Sequence, residues 1–188
     1  MILPIYLYDH PVLRQVAEPI ADITPEVRRL AQDMLETMYN AHGIGLAANQ
    51  VGVARQLIVV DIGKDEGMKE PLVLLNPTIE ATSEETSEME EGCLSLPELR
   101  DAVIRPAAVQ VRYIDLQGRE HRITADGLLA RVLQHEMDHL NGVYFVDRLS
   151  LVRRTLLRRK LDRIARGEVL PPYPVVLGHA TVAQRSEI

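Results

Sequence analysis

From Gly127 to Leu140 the apolar residues Leu128, Leu129, Val132, Leu133, Met137 and Leu140 crowd two adjacent faces of a helix, and His135-Glu136-Met137-Asp138-His139 is written into the same stretch. A helix patterned this way is predicted to be buried on most of its sides. Four residues advance it by about 6 Å and slightly more than one turn, so both imidazoles stand on one face. Burying two histidines and a glutamate there is costly unless they are coordinated or paired. The H-E-x-x-H spacing answers that cost with a metal ion, giving His135 and His139 as ligands and Glu136 beside them as general base. The rest of the chain must fold around this helix.

A catalytic metal site keeps three protein ligands and one open position, so a third ligand is needed. Downstream, Gly142 stands where metzincins carry a glycine, but their third histidine is replaced by Phe145, which cannot ligate. Glu168, past the final helix, would give a gluzincin-like set. Upstream is Cys93, the chain's one cysteine, which on its own also reads as a small buried hydrophobe.

The remaining pattern alternates strand and helix signals. Thr24-Pro25 pairs an N-cap with a first-turn proline, and Val27, Leu30, Ala31, Met34, Leu35 and Met38 follow at helical spacing, predicting an N-terminal helix closed by Gly43. Residues 56–61 and 72–75 and the alternating Val109, Val111 and Tyr113 predict strands, the last turned back by Gln117-Gly118 into residues 121–124. Glu84, Glu85, Glu88 and Glu90 read as a solvated loop. A C-terminal helix is expected over residues 147–166, closed by Gly167, and Pro171, Pro172 and Pro174 make the remaining tail a poor helix or strand. The expected class is α+β, with antiparallel or mixed β-sheets around a central metal-binding helix flanked by an N-terminal and a C-terminal helix. One catalytic domain spans residues 1–167, and residues 168–188 form a proline-containing tail.

Composition narrows the function. With 188 residues, 46% of them apolar, the chain suits one core. One Phe, no Trp and a net charge of -6 argue against base-stacking or phosphate-tracking surfaces, and so against DNA as a partner. A lone cysteine fits a reducing compartment. No positively charged leader precedes residues 1–10, and no apolar run reaches the roughly 20 residues of a membrane span, so a soluble, cytoplasmic protein is expected.

Gly43-Ile44-Gly45-Leu46-Ala47-Ala48-Asn49-Gln50, Glu91-Gly92-Cys93-Leu94-Ser95 and Gln134-His135-Glu136-Met137-Asp138-His139-Leu140 together resemble the three signature motifs of bacterial peptide deformylases, in the family's order and approximate spacing. Asp9-His10-Pro11-Val12-Leu13-Arg14 is similar to the family's opening segment. The resemblance implies removal of the formyl group from N-terminal formyl-methionine of newly made bacterial proteins. It implies Cys93, His135 and His139 as metal ligands, Glu136 as acid and base, and Gln50 with the Leu94 backbone N–H as donors to the oxyanion. It also implies Fe(II) as the native ion, with Zn, Ni or Co able to replace it; ligand softness alone suggests zinc at least as strongly.

Leu128 and Val132 stand about two turns and one turn before His135 on its side of the helix, so they can line a methionine pocket. Ile44 and Met89, with Gly45, Glu91 and Gly92, join them through the resemblance. Arg131 departs from the family, which often carries an apolar residue there; its stem is expected to cover the pocket while its charged end reaches water. Arg148, Arg153, Arg154, Arg158, Arg159, Lys160, Arg163 and Arg166 crowd the last helix of an otherwise acidic chain, which suggests docking on ribosomal RNA near the emerging chain.

Overall fold

The computed structural model describes residues 1–178 and 180–183. In chain order the elements are strand β1 (Ile5–Tyr6), helix α1 (Pro25–Asn40), strands β2 (Gly45–Ala47), β3 (Leu57–Val60), β4 (Leu72–Thr82), β5 (Thr86–Cys93), β6 (Leu96–Pro106), β7 (Ala108–Ile114) and β8 (Glu120–Asp126), helices α2 (Gly127–Leu140) and α3 (Leu151–Ala165), and strands β9 (Val175–Leu177) and β10 (Ala180–Ala183). Strands β2, β3, β4, β7 and β8 form, in that order, an antiparallel sheet. β5 and β6 make an antiparallel pair, and β9 lies between a parallel β1 and an antiparallel β10. The fold is α+β, as the sequence patterning led us to expect.

Burial explains the patterning. Leu57-Ile58-Val59-Val60 is apolar without alternation because both faces of β3 are covered. Ile58 and Val60 share a cluster with Val132, Leu133 and Met137 of α2, whereas Leu57 and Val59 share one with Ala31, Met34 and Met38 of α1. β7 alternates instead, burying Val109, Val111 and Tyr113 while its other residues are half-buried. Every residue of α2 from Ala130 to Leu140 is buried. A third cluster joins Leu157, Leu161 and Ile164 of α3 to Leu99 and Val103 of β6 and to Phe145.

Thr24 caps α1, its Oγ1 accepting from Val27 N–H at 3.4 Å. The helix stops at Asn40, before Gly43, and the left-handed residue is His42, with φ of 54°. Gly43 contributes its N–H to Met38 O at 2.9 Å.

Of the acidic stretch, Glu84 and Glu85 lie in the exposed bend between β4 and β5, a loop as expected, while Glu88 and Glu90 belong to a strand instead. Glu88 and Glu90 of β5 face outward and Glu91 inward; glutamates carry the period of two, which is weak as a strand signal. α3 begins at Leu151, where Ser150 caps it by accepting from Arg153 N–H at 3.3 Å. Residues 145–148 form a separate 3-10 turn. The tail also pairs: Ile5 N–H reaches the carbonyl that Pro174 still possesses and Leu7 N–H reaches Val176 O, each at 2.9 Å. His179 and residues 184–188 of the expected tail lie outside the described residues.

Candidate active site

α2 presents His135 and His139 on one face, and the end of β5 presents Cys93. Cys93 Sγ lies 3.3 Å from His139 Nε2, the two histidine Nε2 atoms lie 3.3 Å apart, and all three donor atoms fall within 4.8 Å of one another. Tetrahedral bonds of about 2.0–2.3 Å leave neighbouring donors roughly 3.3–3.6 Å apart, so this trio fits a divalent cation. One sulfur and two ring nitrogens suit borderline ions, zinc and iron alike.

Behind His135 stands a buried charge network. Glu91 Oε1 lies 2.8 Å from His135 Nδ1. Burial opposes ionisation of Glu91, but Arg105 and His135 outweigh it and hold the carboxyl well below its usual range. An ionised carboxylate only accepts, so Nδ1 carries a proton, which makes Nε2, on the side of Cys93 and His139, the atom that can serve a metal ion. Arg105 grips Glu91 through Nε at 2.7 Å and a terminal nitrogen at 2.9 Å, and reaches Asp138 at 2.7 Å.

Arg131 adds a third hold, donating to Glu91 Oε2, Val103 O and Ser87 O, each at 2.8 Å. It is 4% exposed, so its guanidinium does not reach water as the sequence suggested. The hydrogen-bond acceptors of β5 and β6 hold it inside.

Glu136 follows His135 on α2 and borders the cleft. Burial pushes its carboxyl up to about 7, and its Oε2 has no hydrogen-bond partner among the described residues, nor has His139 Nδ1. Gly45 makes room for it: a Cβ there would collide with Glu136 Oε1 and stand 2.8 Å from Val132 Cγ1. Gln50 is locked by Ala47 N–H, which donates to its Oε1 at 2.9 Å, and its amide nitrogen donates to Ser95 Oγ at 3.1 Å and to Cys93 Sγ at 3.4 Å.

A cleft of about 850 Å³ opens over these groups. Ile44, Gly45, Glu91, Gly92, Leu128 and Val132 border it, together with Gln50, Cys93 and Leu94. Met89, half-buried opposite Val103, is not on that wall. A smaller cavity of about 360 Å³ beside Arg105, Asp138 and Arg148 does not touch the three donors. Glu168 pairs with Arg166 at 2.7 Å and Arg163 at 3.2 Å, so a gluzincin-like set has no ligand here.

Sequence reading missed Arg105 and Ser95. Arg105 shares the inward period-2 face of β6 with Leu99, Asp101 and Val103, a pattern visible in the sequence. Ser95 carries no signal beyond its place in the motif.

The sequence profile of the family described as polypeptide deformylase matches residues 2–155. The peptide deformylase of Rhizobium meliloti (strain 1021) is 50% identical over 165 residues, covering 88% of this chain and 95% of that protein. That of Salinibacter ruber is 49% identical over 185 residues, covering 94% and 95%. Among solved structures, a peptide deformylase from Legionella pneumophila superposes with a TM-score of 0.82 at 43% identity, covering 89% of this chain and 98% of that one. One from Synechococcus elongatus, in complex with actinonin, gives 0.76 at 47% identity, covering 88% and 85%.

Proposed function

The chain belongs to the peptide deformylase family, metal-dependent hydrolases that remove the N-formyl group from N-terminal formyl-methionine and release formate, and from that premise we propose how its residues divide the reaction. Cys93, His135 and His139 hold one divalent ion, Fe(II) in the cell by family likeness, with Zn, Ni or Co able to take its place. When bound, the ion supplies a Lewis acid that polarises the formyl carbonyl and acidifies water.

Glu136 accepts the proton of the attacking water and delivers it to the departing amine nitrogen. Charge that develops on the formyl oxygen is met by the Gln50 side-chain amide and the Leu94 backbone N–H; removing one such donor typically costs about 2.7–4 kcal/mol in the transition state. Glu91 orients His135. Ile44, Gly45, Gly92, Leu128 and Val132 receive the methionine side chain. The catalytic unit is assigned to residues 1–177, past the expected boundary at 167, because residues 170–173 border the cleft and β9 pairs with β1; the cleft is assigned the ability to take actinonin, as the Synechococcus elongatus relative does.

The reading is carried by one observation, three donor atoms within 4.8 Å of one another beside a buried carboxylate. Its test is an anaerobic assay of the iron-loaded protein on formyl-Met-Ala and acetyl-Met-Ala. Formate from the first and no cleavage of the second is expected; equal cleavage, or no formate, overturns it.

We also propose ribosome docking through α3, in a bacterial cytoplasm. No helix among the described residues is long and apolar enough to cross a membrane. Arg148, Arg153, Arg163 and Arg166 are tied to Asp138, Asp101 and Glu168, which leaves a smaller basic surface than the sequence implied. Arg154, Arg158 and Arg159 carry no ion pair among the described residues, and Leu151, Val152 and Leu156 are exposed beside them. Reversing these three arginines to Glu is expected to weaken salt-sensitive co-sedimentation with ribosomes, and unchanged co-sedimentation overturns the proposal.

A further inference from the structure

Residues 170–173 lie beyond the stretch that the family profile matches, which ends at residue 155. Leu170, Pro171, Pro172 and Tyr173 nevertheless border the same cleft as Cys93 and Glu136. The pairing of β9 with β1 anchors the segment immediately after it, and Val175 is fully packed at 1% exposure.

Tyr173 reaches across to the turn between β5 and β6. Its hydroxyl donates to the Leu94 carbonyl at 2.7 Å, and its ring joins the apolar cluster that holds the Leu94 side chain. The next carbonyl of that turn, Ser95 O, accepts from Tyr8 N–H at 2.9 Å. Two successive carbonyls of the turn are thus pinned, which holds the Leu94–Ser95 peptide plane and, across Leu94 Cα, limits how far the preceding plane that carries the Leu94 N–H can turn. Pro171 and Pro172 have no N–H to offer, so this wall lacks two donors that an added strand would use. It can offer apolar contact.

We propose that the C-terminal segment is a wall of the substrate site, with Tyr173 as a positioning residue for the Leu94 N–H and Leu170, Pro171 and Pro172 as an apolar subsite for the side chains that follow methionine. The proposal rests on the deformylase reading. Tyr173 acts through Leu94 and touches no reacting atom. A misdirected oxyanion donor weakens transition-state binding and spares ground-state binding, so its loss falls on kcat and leaves KM in place.

The test uses the metal-loaded full chain. For Tyr173→Phe, which keeps the ring, kcat on formyl-Met-Ala is expected to fall about five- to tenfold, the worth of one neutral hydrogen bond, with KM and metal content unchanged. For Leu170→Ala, the preference in kcat/KM for C-terminally amidated formyl-Met-Leu over formyl-Met-Asp is expected to shrink about threefold or more, the worth of a partly buried side chain. Wild-type kcat in Tyr173→Phe overturns the positioning role, even if the melting temperature drops. An undiminished preference in Leu170→Ala overturns the subsite. A wild-type protein that releases no formate sinks the deformylase reading and this one with it.

Discussion

Glu91 and His135 meet at 2.8 Å through Oε1 and Nδ1, with the guanidinium groups of Arg105 and Arg131 closing on the same carboxylate from behind. Replacing Glu91 by Gln leaves two buried cations facing an amide that neutralises neither. Breaking a buried pair from one side costs about 3–5 kcal/mol, and losing the outer partner of a ligating imidazole costs roughly 10–100-fold in metal affinity. Glu91→Gln is therefore expected to melt lower and to surrender its ion to a competing chelator more readily. A chelator competition curve that matches the wild type would show that His135 is oriented without Glu91.

Cys93→Ala removes one of three donors and is expected to abolish both stoichiometric metal binding and formate release. Glu168→Ala, which disturbs only an exposed contact with Arg163 and Arg166, is expected to keep both. Metal analysis of the two purified variants checks this directly, and retention of metal by Cys93→Ala would mean that the third ligand lies elsewhere.

How much of the molecule was legible in the sequence depended on whether a residue's partner was local. The spacing of His135 and His139 and the burial of α2 follow from one helical period, and α2 has the bounds the pattern indicated. Choosing Cys93 over Glu168 needed the neighbouring motif, because spacing along the chain does not say which strand returns to the helix. Arg131 looked like a surface side chain with an apolar stem; its burial depends on acceptors of β5 and β6 that lie 28 to 44 positions away. The two-residue β1 and three-residue β9 are invisible singly, since β1 is a strand only because β9 is there, and β9 only because β1 and β10 flank it.

The turn from β7 to β8 gives a pH prediction. Asp115 accepts from Gln117 N–H at 2.8 Å, from Arg119 N–H and Nε at 2.9 Å, and lies 2.7 Å from His121 Nε2. Desolvation raises its carboxyl, but the hydrogen bonds from His121 and Arg119 outweigh this and hold it below the ordinary 3.8. A depressed acid favours the fold only while ionised, so its contribution is complete above about pH 5 and is lost as pH falls through the folded value. The melting-temperature gap between wild type and Asp115→Asn is therefore expected to narrow from pH 6 to pH 3. A gap that stays constant would mean that Asp115 titrates alike in the folded and unfolded chains.

Gly45→Ala probes the space beside Glu136. A methyl group at this position would collide with Glu136 Oε1 and stand 2.8 Å from Val132 Cγ1, so both side chains must shift, and the space open to them is the cleft that they line. The carboxylate must rotate away from the point where water attacks. Misplacement of a catalytic group by about 1 Å costs on the order of 100-fold in rate, so kcat is expected to fall by roughly that factor. The atoms nearest the added methyl belong to Glu136 and Val132, not to Cys93, His135 or His139, so metal content should stay at one ion per chain. A fall in kcat that tracks metal loss would instead place the damage at the ligands, and wild-type kcat would remove Glu136 from the proton transfer assigned to it.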